Sequence, residues 1–209
     1  DVYKRQIKAL NKPILLVAGH YNNWEWLITA QASWFEQPSY GIGMPLSHPF
    51  WNQKLTERRE RFGLKVVHAQ NYQEAFEAKN PVVLVLADQA PSSPTECLWI
   101  PFLHQNTAVI FGPEYMANKF DCSVVFADIK HSKRGCYNVN IEVLVKDPKK
   151  LNYQALTQMH VQKLGQQIIN NPTRWLWSHK RWKHQQPANW QNQLQMLKSR
   201  FEEKFRRNA

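Results

Sequence analysis

Residues 14–26 read ILLVAGHYNNWEW. The first five are uninterrupted leucine, β-branched and alanine side chains. That is too short a run for a helix, and it suits a strand buried on both faces. Lys12-Pro13 breaks the chain before it, and Gly19 permits a tight turn after it. Asn22 or Asn23 can then cap a helix reaching about residue 34, with Trp24, Leu27, Ile28 and Gln31 spaced for one face. A buried strand that turns straight into a helix opens an α/β arrangement, so further alternation is expected.

The rest of the chain supplies it. Residues 81–87, PVVLVLA, form a second near-continuous apolar run, and it ends in Asp88-Gln89. Strands are also predicted over 40–46, 64–68, 123–130 and 137–145, the last two joined by the basic turn HSKRG. Helices are predicted over 50–62, closed by Gly63, and over 71–79, 112–119 and 153–170, the last stopped by Asn171-Pro172. Residues 88–96 are a Pro/Ser loop, and WIPFLHQNTAV leads from it into the 112–119 helix. The expected fold is an α/β layered domain with a central, largely parallel mixed sheet flanked by helices. It occupies residues 1–187. Residues 188–209 form a separate amphipathic helix, with Trp190, Leu194, Leu197, Phe201 and Phe205 at helical spacing. Packing on the domain and lying on a membrane are both compatible with that pattern.

Composition narrows the partners. Lys and Arg number 27 against 16 Asp and Glu, a net charge of +11, which favours an anionic partner: nucleic acid, an anionic membrane, a phosphorylated lipid or an acidic carrier protein. The apolar runs fall far short of the roughly 20 residues that span a bilayer. Three cysteines, none at CxxC spacing, point away from a disulfide framework or zinc site. His179 and His184 lack a third partner of metal-ligating type nearby, so no metal site is expected.

Both buried strands end in a polar pair, and in open α/β sheets ligands bind where strand ends meet loops. On a continuous helix His20 and Glu25 would diverge by about 140°. With His20 in the turn and Glu25 in the first helical turn they can meet, the carboxylate holding one ring nitrogen and leaving the other to take a proton. The plainer alternative is a turn histidine and an exposed helix glutamate. GxSxG, HExxH, P-loop and GxGxxG patterns are absent. The cluster Lys54, Arg58, Arg59, Arg61 is either a solvated face or an anion-recognition site. RWLWSHKRWK, residues 174–183, interleaves cations with aromatics, as single-strand nucleic-acid binders also do, but carries no RNP pattern.

Taken in order, GHYNNWEW with His-x4-Glu, the strand ending in ADQ, WIPFLHQNTAVIFGPEYMA and NPTRWLWSHKRWK resemble the bacterial lipid A biosynthesis acyltransferases of the late lauroyl or myristoyl type, within the glycerophosphate acyltransferase-like superfamily. The resemblance covers about residues 12–184. It implies an enzyme at the cytoplasmic face of the bacterial inner membrane. Such an enzyme moves a fatty acyl group from acyl carrier protein or coenzyme A to a hydroxyl of a phosphorylated lipid A precursor. It uses an acyl-thioester co-substrate and no cofactor, and no nucleic acid is expected. His20 matches the family's catalytic histidine and Glu25 its acidic partner. Asn23, Arg58, Arg61, Asp88, Gln89, His179, Arg181 and Lys183 are the expected substrate-binding residues, and Trp177 and Trp182 complete the C-terminal match. Family members carry an N-terminal membrane helix; because this chain opens on Asp1, such an anchor is expected upstream. One departure stands out: Met44 precedes Pro45 where many members have arginine, so Arg58, Arg59 or Arg61 must supply that cation, or the acceptor differs, for example an aminolipid or glycerophospholipid. A non-catalytic basic surface for lipid or nucleic acid is the reading from another class.

Overall fold

The structure is a computed structural model that describes residue 7 and residues 9–206; the outer ends of the two expected segments, residues 1–6 and 207–209, lie outside the described residues. Eight strands are described: β1 Ile14–Ala18, β2 Ser39–Gly43, β3 Lys65–His68, β4 Val82–Leu86, β5 Leu98–Phe102, β6 Gln105–Val109, β7 Ser123–Lys133 and β8 Cys136–Val145. Five α-helices accompany them: α1 Trp24–Ala30, α2 Pro49–Glu60, α3 Gly112–Lys119, α4 Ala155–Asn170 and α5 Trp190–Phe205.

Six strands form one sheet in the order β3-β2-β4-β1-β7-β8. All neighbours are parallel except the β7–β8 hairpin. β1 and β4 are buried along nearly their whole length, as their unbroken apolar sequences require for the centre of a sheet covered on both faces. One face packs Ile14, Leu16, Leu84 and Val125 against Leu27, Ile28 and Phe35, and the other packs Leu15, Val17, Val83 and Val85 against Met116, Ala117 and Leu156. α1 is shorter than its predicted extent, passing into a 3-10 turn over Gln31–Ser33. The segment predicted as a helix over 71–79 is a 3-10 stretch, Ala69–Phe76, interrupted at Asn71.

The β5–β6 hairpin is a separate two-stranded sheet. It covers the end of the domain near the site and supports α5, whose Trp190, Leu194 and Leu197 pack with Cys97, Trp99 and Ala108. At its far end Arg206 donates to Asn118 Oδ1 and to the Leu151 carbonyl, both at 2.9 Å. The amphipathic C-terminal helix therefore packs on the domain. No helix among the described residues is long and apolar enough to cross a membrane.

Candidate active site

Parallel register builds the site. Ala18 pairs with Leu86, so the residues two further along each strand, His20 and Asp88, emerge side by side at the carboxyl edge of the sheet. His20 Nδ1 lies 2.6 Å from Asp88 Oδ1, and the His20 backbone N–H donates to Asp88 Oδ2 at 2.9 Å. Trp175 Nε1 donates to the same Oδ2 at 2.8 Å. The carboxylate is almost fully enclosed while the imidazole keeps an open edge, with side-chain exposures of 2% and 18%. Burial is the largest influence on Asp88 and pushes its carboxyl up. The hydrogen bond and charge of His20, with the Trp175 indole and the His20 backbone N–H, outweigh burial and hold it below the ordinary aspartate value.

Asp88 thus fixes the ring. Nδ1 carries the shared proton and Nε2 is left as an acceptor. The Gln89 amide nitrogen, 3.4 Å from Nε2, fits that assignment. The Trp24 indole meets the imidazole edge-to-face at 5.3 Å and limits its swing. Gly19 lets the turn pass close to Leu164 and Asp88: a Cβ there would lie 2.6 Å from Leu164 Cδ1, so that side chain would have to shift, and 3.4 Å from Asp88 Cγ.

The expectation that Glu25 holds the imidazole is corrected. Glu25 stands in the first turn of α1 and is gripped from the opposite side by Arg59 of α2, Nη2 to Oε1 at 2.6 Å and Nε to Oε2 at 3.1 Å. This bidentate geometry suits a guanidinium fork on a carboxylate. Arg59 Nη1 also lies 4.0 Å from where a Cβ on Gly43 would stand, so the guanidinium occupies the end of β2, beside Met44. Of the three candidate arginines, Arg59 is thus one that brings its guanidinium to the end of β2. Arg58 and Arg61 are not at the His20–Asp88 pair; they line a hollow of about 310 Å³ between α1 and the C-terminal end of α2 with Trp26, Thr29, Ala30 and Phe62.

The distant C-terminal segment reaches the site by strand-like pairing. Tyr21 bridges antiparallel to Trp175, Asn22 N–H donates to the Arg174 carbonyl at 2.7 Å and Leu176 N–H donates to the His20 carbonyl at 3.1 Å. Asn22 sits at φ 54°, a left-handed conformation that asparagine tolerates. Asn23 occupies the N-cap of α1 without a side-chain cap bond, and its carbonyl accepts from Trp26 N–H. His179 Nε2 accepts from Ala90 N–H at 2.9 Å, which pins the loop after Asp88-Gln89. Burial, then the charge of Arg181, holds His179 below its ordinary value, in keeping with a neutral acceptor. His184 Nε2 is 2.7 Å from the Pro91 carbonyl, so this histidine also serves the loop. Trp177 is exposed and donates to the Pro172 carbonyl; Trp175, which carried no sequence expectation, is the tryptophan that reaches the site.

Arg181 is 4% exposed, stacked 5.8 Å from the Phe102 ring, and its Nε and one Nη have no hydrogen-bond partner among the described residues. Burial pulls it down to about 10. Lys183 is exposed. A polar cleft of about 470 Å³ behind the turn is lined by Tyr21, Asn22, Asp128, Gln167 and Arg174 but by neither His20 nor Asp88, so it is not the reaction centre. Cys97 and Cys122 are buried, with thiols pushed up by burial to about 11 and about 12, which leaves neither as a thiolate nucleophile.

No individual curated protein matches the chain. A family model described as bacterial lipid A biosynthesis acyltransferase matches residues 4–184, the whole of the sheet and every element that builds the site. The chain belongs to the bacterial lipid A biosynthesis acyltransferase family.

Proposed function

We propose that the protein transfers a fatty acyl group directly from a thioester to a hydroxyl of a phosphorylated lipid, with His20 as general base and Asp88 as its orienting partner. The observation that carries this reading is the 2.6 Å contact between His20 Nδ1 and Asp88 Oδ1, which leaves Nε2 with a free lone pair at an open edge. The acceptor hydroxyl displaces the weak Gln89 contact and gives its proton to Nε2 as its oxygen attacks the thioester carbonyl. The enclosed Asp88 carboxylate stabilises the imidazolium that forms. Collapse of the tetrahedral adduct breaks the carbon–sulfur bond, and the departing thiolate takes the proton from Nε2. The ring returns neutral, and the products are a lipid ester and a free thiol.

The Glu25–Arg59 pair stands on the helix that follows the His20 turn. It supplies a fixed cation for the phosphate of the lipid or for the charge developing on the carbonyl oxygen. Acyl carrier protein, or acyl-coenzyme A, is the donor that the excess positive charge suits, and a lipid A precursor the acceptor that the family suits. The place of action is the cytoplasmic face of the bacterial inner membrane. Replacing His20 by Ala tests the reading: turnover of an acyl-thioester falls by roughly 10³-fold or more while the circular dichroism spectrum is kept. Near-normal turnover would sink it. Mass spectrometry of lipids from cells expressing the active and H20A proteins then identifies the acceptor, and an acylated aminolipid or glycerophospholipid in place of lipid A would correct that part alone.

A further inference from the structure

α2 buries none of its residues, yet it is not a polar helix. It presents Phe50 and Trp51, 51% and 60% exposed, and Phe62 just beyond its end is equally open. The segment leading into it adds exposed Met44 and Leu46, and the adjoining α1 adds Trp26. These six large apolar side chains come from neighbouring segments, with Phe50 against Trp51 and with Trp26 and Phe62 lining one hollow, whereas scattered single ones are ordinary.

The charges among them are one-sided. Lys54 is paired with Glu57, Arg59 with Glu25, and Glu60 accepts from Val66 N–H at 2.9 Å. Arg58 and Arg61 have no carboxylate within ion-pair distance among the described residues. Arg61 instead lies 5.5 Å above the Phe62 ring, with its cation turned to solvent. The other basic helix, α5, has its apolar face on the domain, whereas the aromatic side chains of α2 stay exposed.

We infer that α2, with the segment from Met44 to Leu46 and the Trp26 edge of α1, is the surface by which this protein docks on an anionic lipid bilayer. Guanidinium groups that keep their charge in water sit beside aromatic and thioether side chains, the combination that suits the boundary between headgroups and acyl chains. Unpaired Arg58 and Arg61 complement anionic headgroups. An acidic protein surface would satisfy the arginines but would leave Phe50, Trp51, Met44 and Leu46 in contact with polar groups, so the bilayer is the better occupant. The same helix grips Glu25 through Arg59, so docking sets the open edge of His20 close to the lipid surface. That last step rests on the acyl-transfer reading above; the docking itself does not.

The test is sedimentation of the protein with vesicles of phosphatidylethanolamine containing about 30 mol% phosphatidylglycerol, against vesicles of phosphatidylcholine alone. Binding to the anionic vesicles is expected, weaker at high salt, and roughly tenfold weaker in F50S/W51S and in R58Q/R61Q. Because Phe50, Trp51, Arg58 and Arg61 are all exposed, both variants keep the wild-type circular dichroism spectrum and melting temperature. F50S/W51S retains thioester turnover on a detergent-dispersed acceptor. Wild-type binding by both variants, or no vesicle binding by the parent protein, overturns the assignment. Vesicle binding unchanged in R58Q/R61Q alongside weaker binding to an acidic carrier protein overturns it in favour of a protein partner. H20A separates the two readings, since it binds vesicles like the parent whether or not it has lost turnover.

Discussion

Ala18 pairs with Leu86 across parallel strands, and two residues beyond each stand His20 and Asp88, with Nδ1 and Oδ1 2.6 Å apart. The pair is a consequence of sheet register, and each partner follows a strand too buried to shift. Replacing Asp88 by Asn tests what the carboxylate does. The amide oxygen would take the hydrogen bonds from Trp175 and the His20 backbone, turning the amide N–H toward Nδ1. The ring would then carry its proton on Nε2, where the base must accept one. Turnover should fall by about 10³- to 10⁴-fold with little change in fold, measured as kcat beside a melting curve. A loss of less than tenfold would remove Asp88 from the mechanism.

Trp175 acts on the same oxygen from the C-terminal segment. Trp175→Phe keeps most of the packing and deletes one donor to a buried carboxylate, a loss of about 2 kcal/mol at pH 7. The folded-state value of Asp88 is lowered, so its contribution to stability is present above its unfolded value and is lost as pH falls through its folded one. The deficit of W175F should therefore begin to shrink below the unfolded value, roughly pH 4, and close only as pH falls on through the lower folded one. Urea titrations at pH 7 and pH 3 measure it, and a deficit independent of pH would mean that only packing was lost.

Glu25 and Arg59 form the second pair at the site, and both are mostly enclosed. If they act as a unit, Glu25→Gln and Arg59→Met each lower kcat/KM and the double variant does little further harm, a coupling of roughly 1–2 kcal/mol in a double-mutant cycle. The acid limb of the pH–rate profile should stay in place in E25Q. A clear shift of that limb would return Glu25 to the imidazole.

The sheet and the residues at its edge could be read from the sequence, while the partner of His20 could not. β1, β4 and α3 fall almost where their apolar runs and flanking breakers put them. Short-range spacing joined His20 to Glu25, because nothing in a linear pattern says that β4 lies beside β1. That adjacency is a tertiary fact, and it puts a residue 68 positions away closer than one five away. The β5–β6 hairpin had no signal for a related reason. Its turn is Leu103-His104, with φ of 48° and 63°, where the usual marker would be Asn-Gly, and Pro101 interrupts the strand pattern. Trp175 was hidden among several aromatics of one segment, and only its pairing with Tyr21 selects it.

A buried histidine away from the site gives a prediction about stability alone. His160 lies on the inner face of α4, its Nε2 without a hydrogen-bond partner among the described residues, and burial pulls it from 6.5 down to about 4. Between those values the unfolded chain binds a proton that the folded one refuses, so stability falls as pH drops through this window. The full effect is on the order of 3 kcal/mol, at 1.36 kcal/mol for each pH unit. Glu114 works against it. Its carboxyl caps the start of α4 by accepting from Gln154 N–H, Thr157 N–H and the Thr157 hydroxyl, and burial, the dominant influence, raises it, so its ionisation costs stability as pH rises above about 4.5. The wild-type curve alone therefore mixes two opposed slopes. The difference between wild type and His160→Leu isolates the histidine, since Glu114 is common to both. That difference should move in favour of H160L as pH is lowered from 7 to 5, read from urea midpoints at each pH. A constant difference would show that the buried imidazole titrates alike in the folded and unfolded chains.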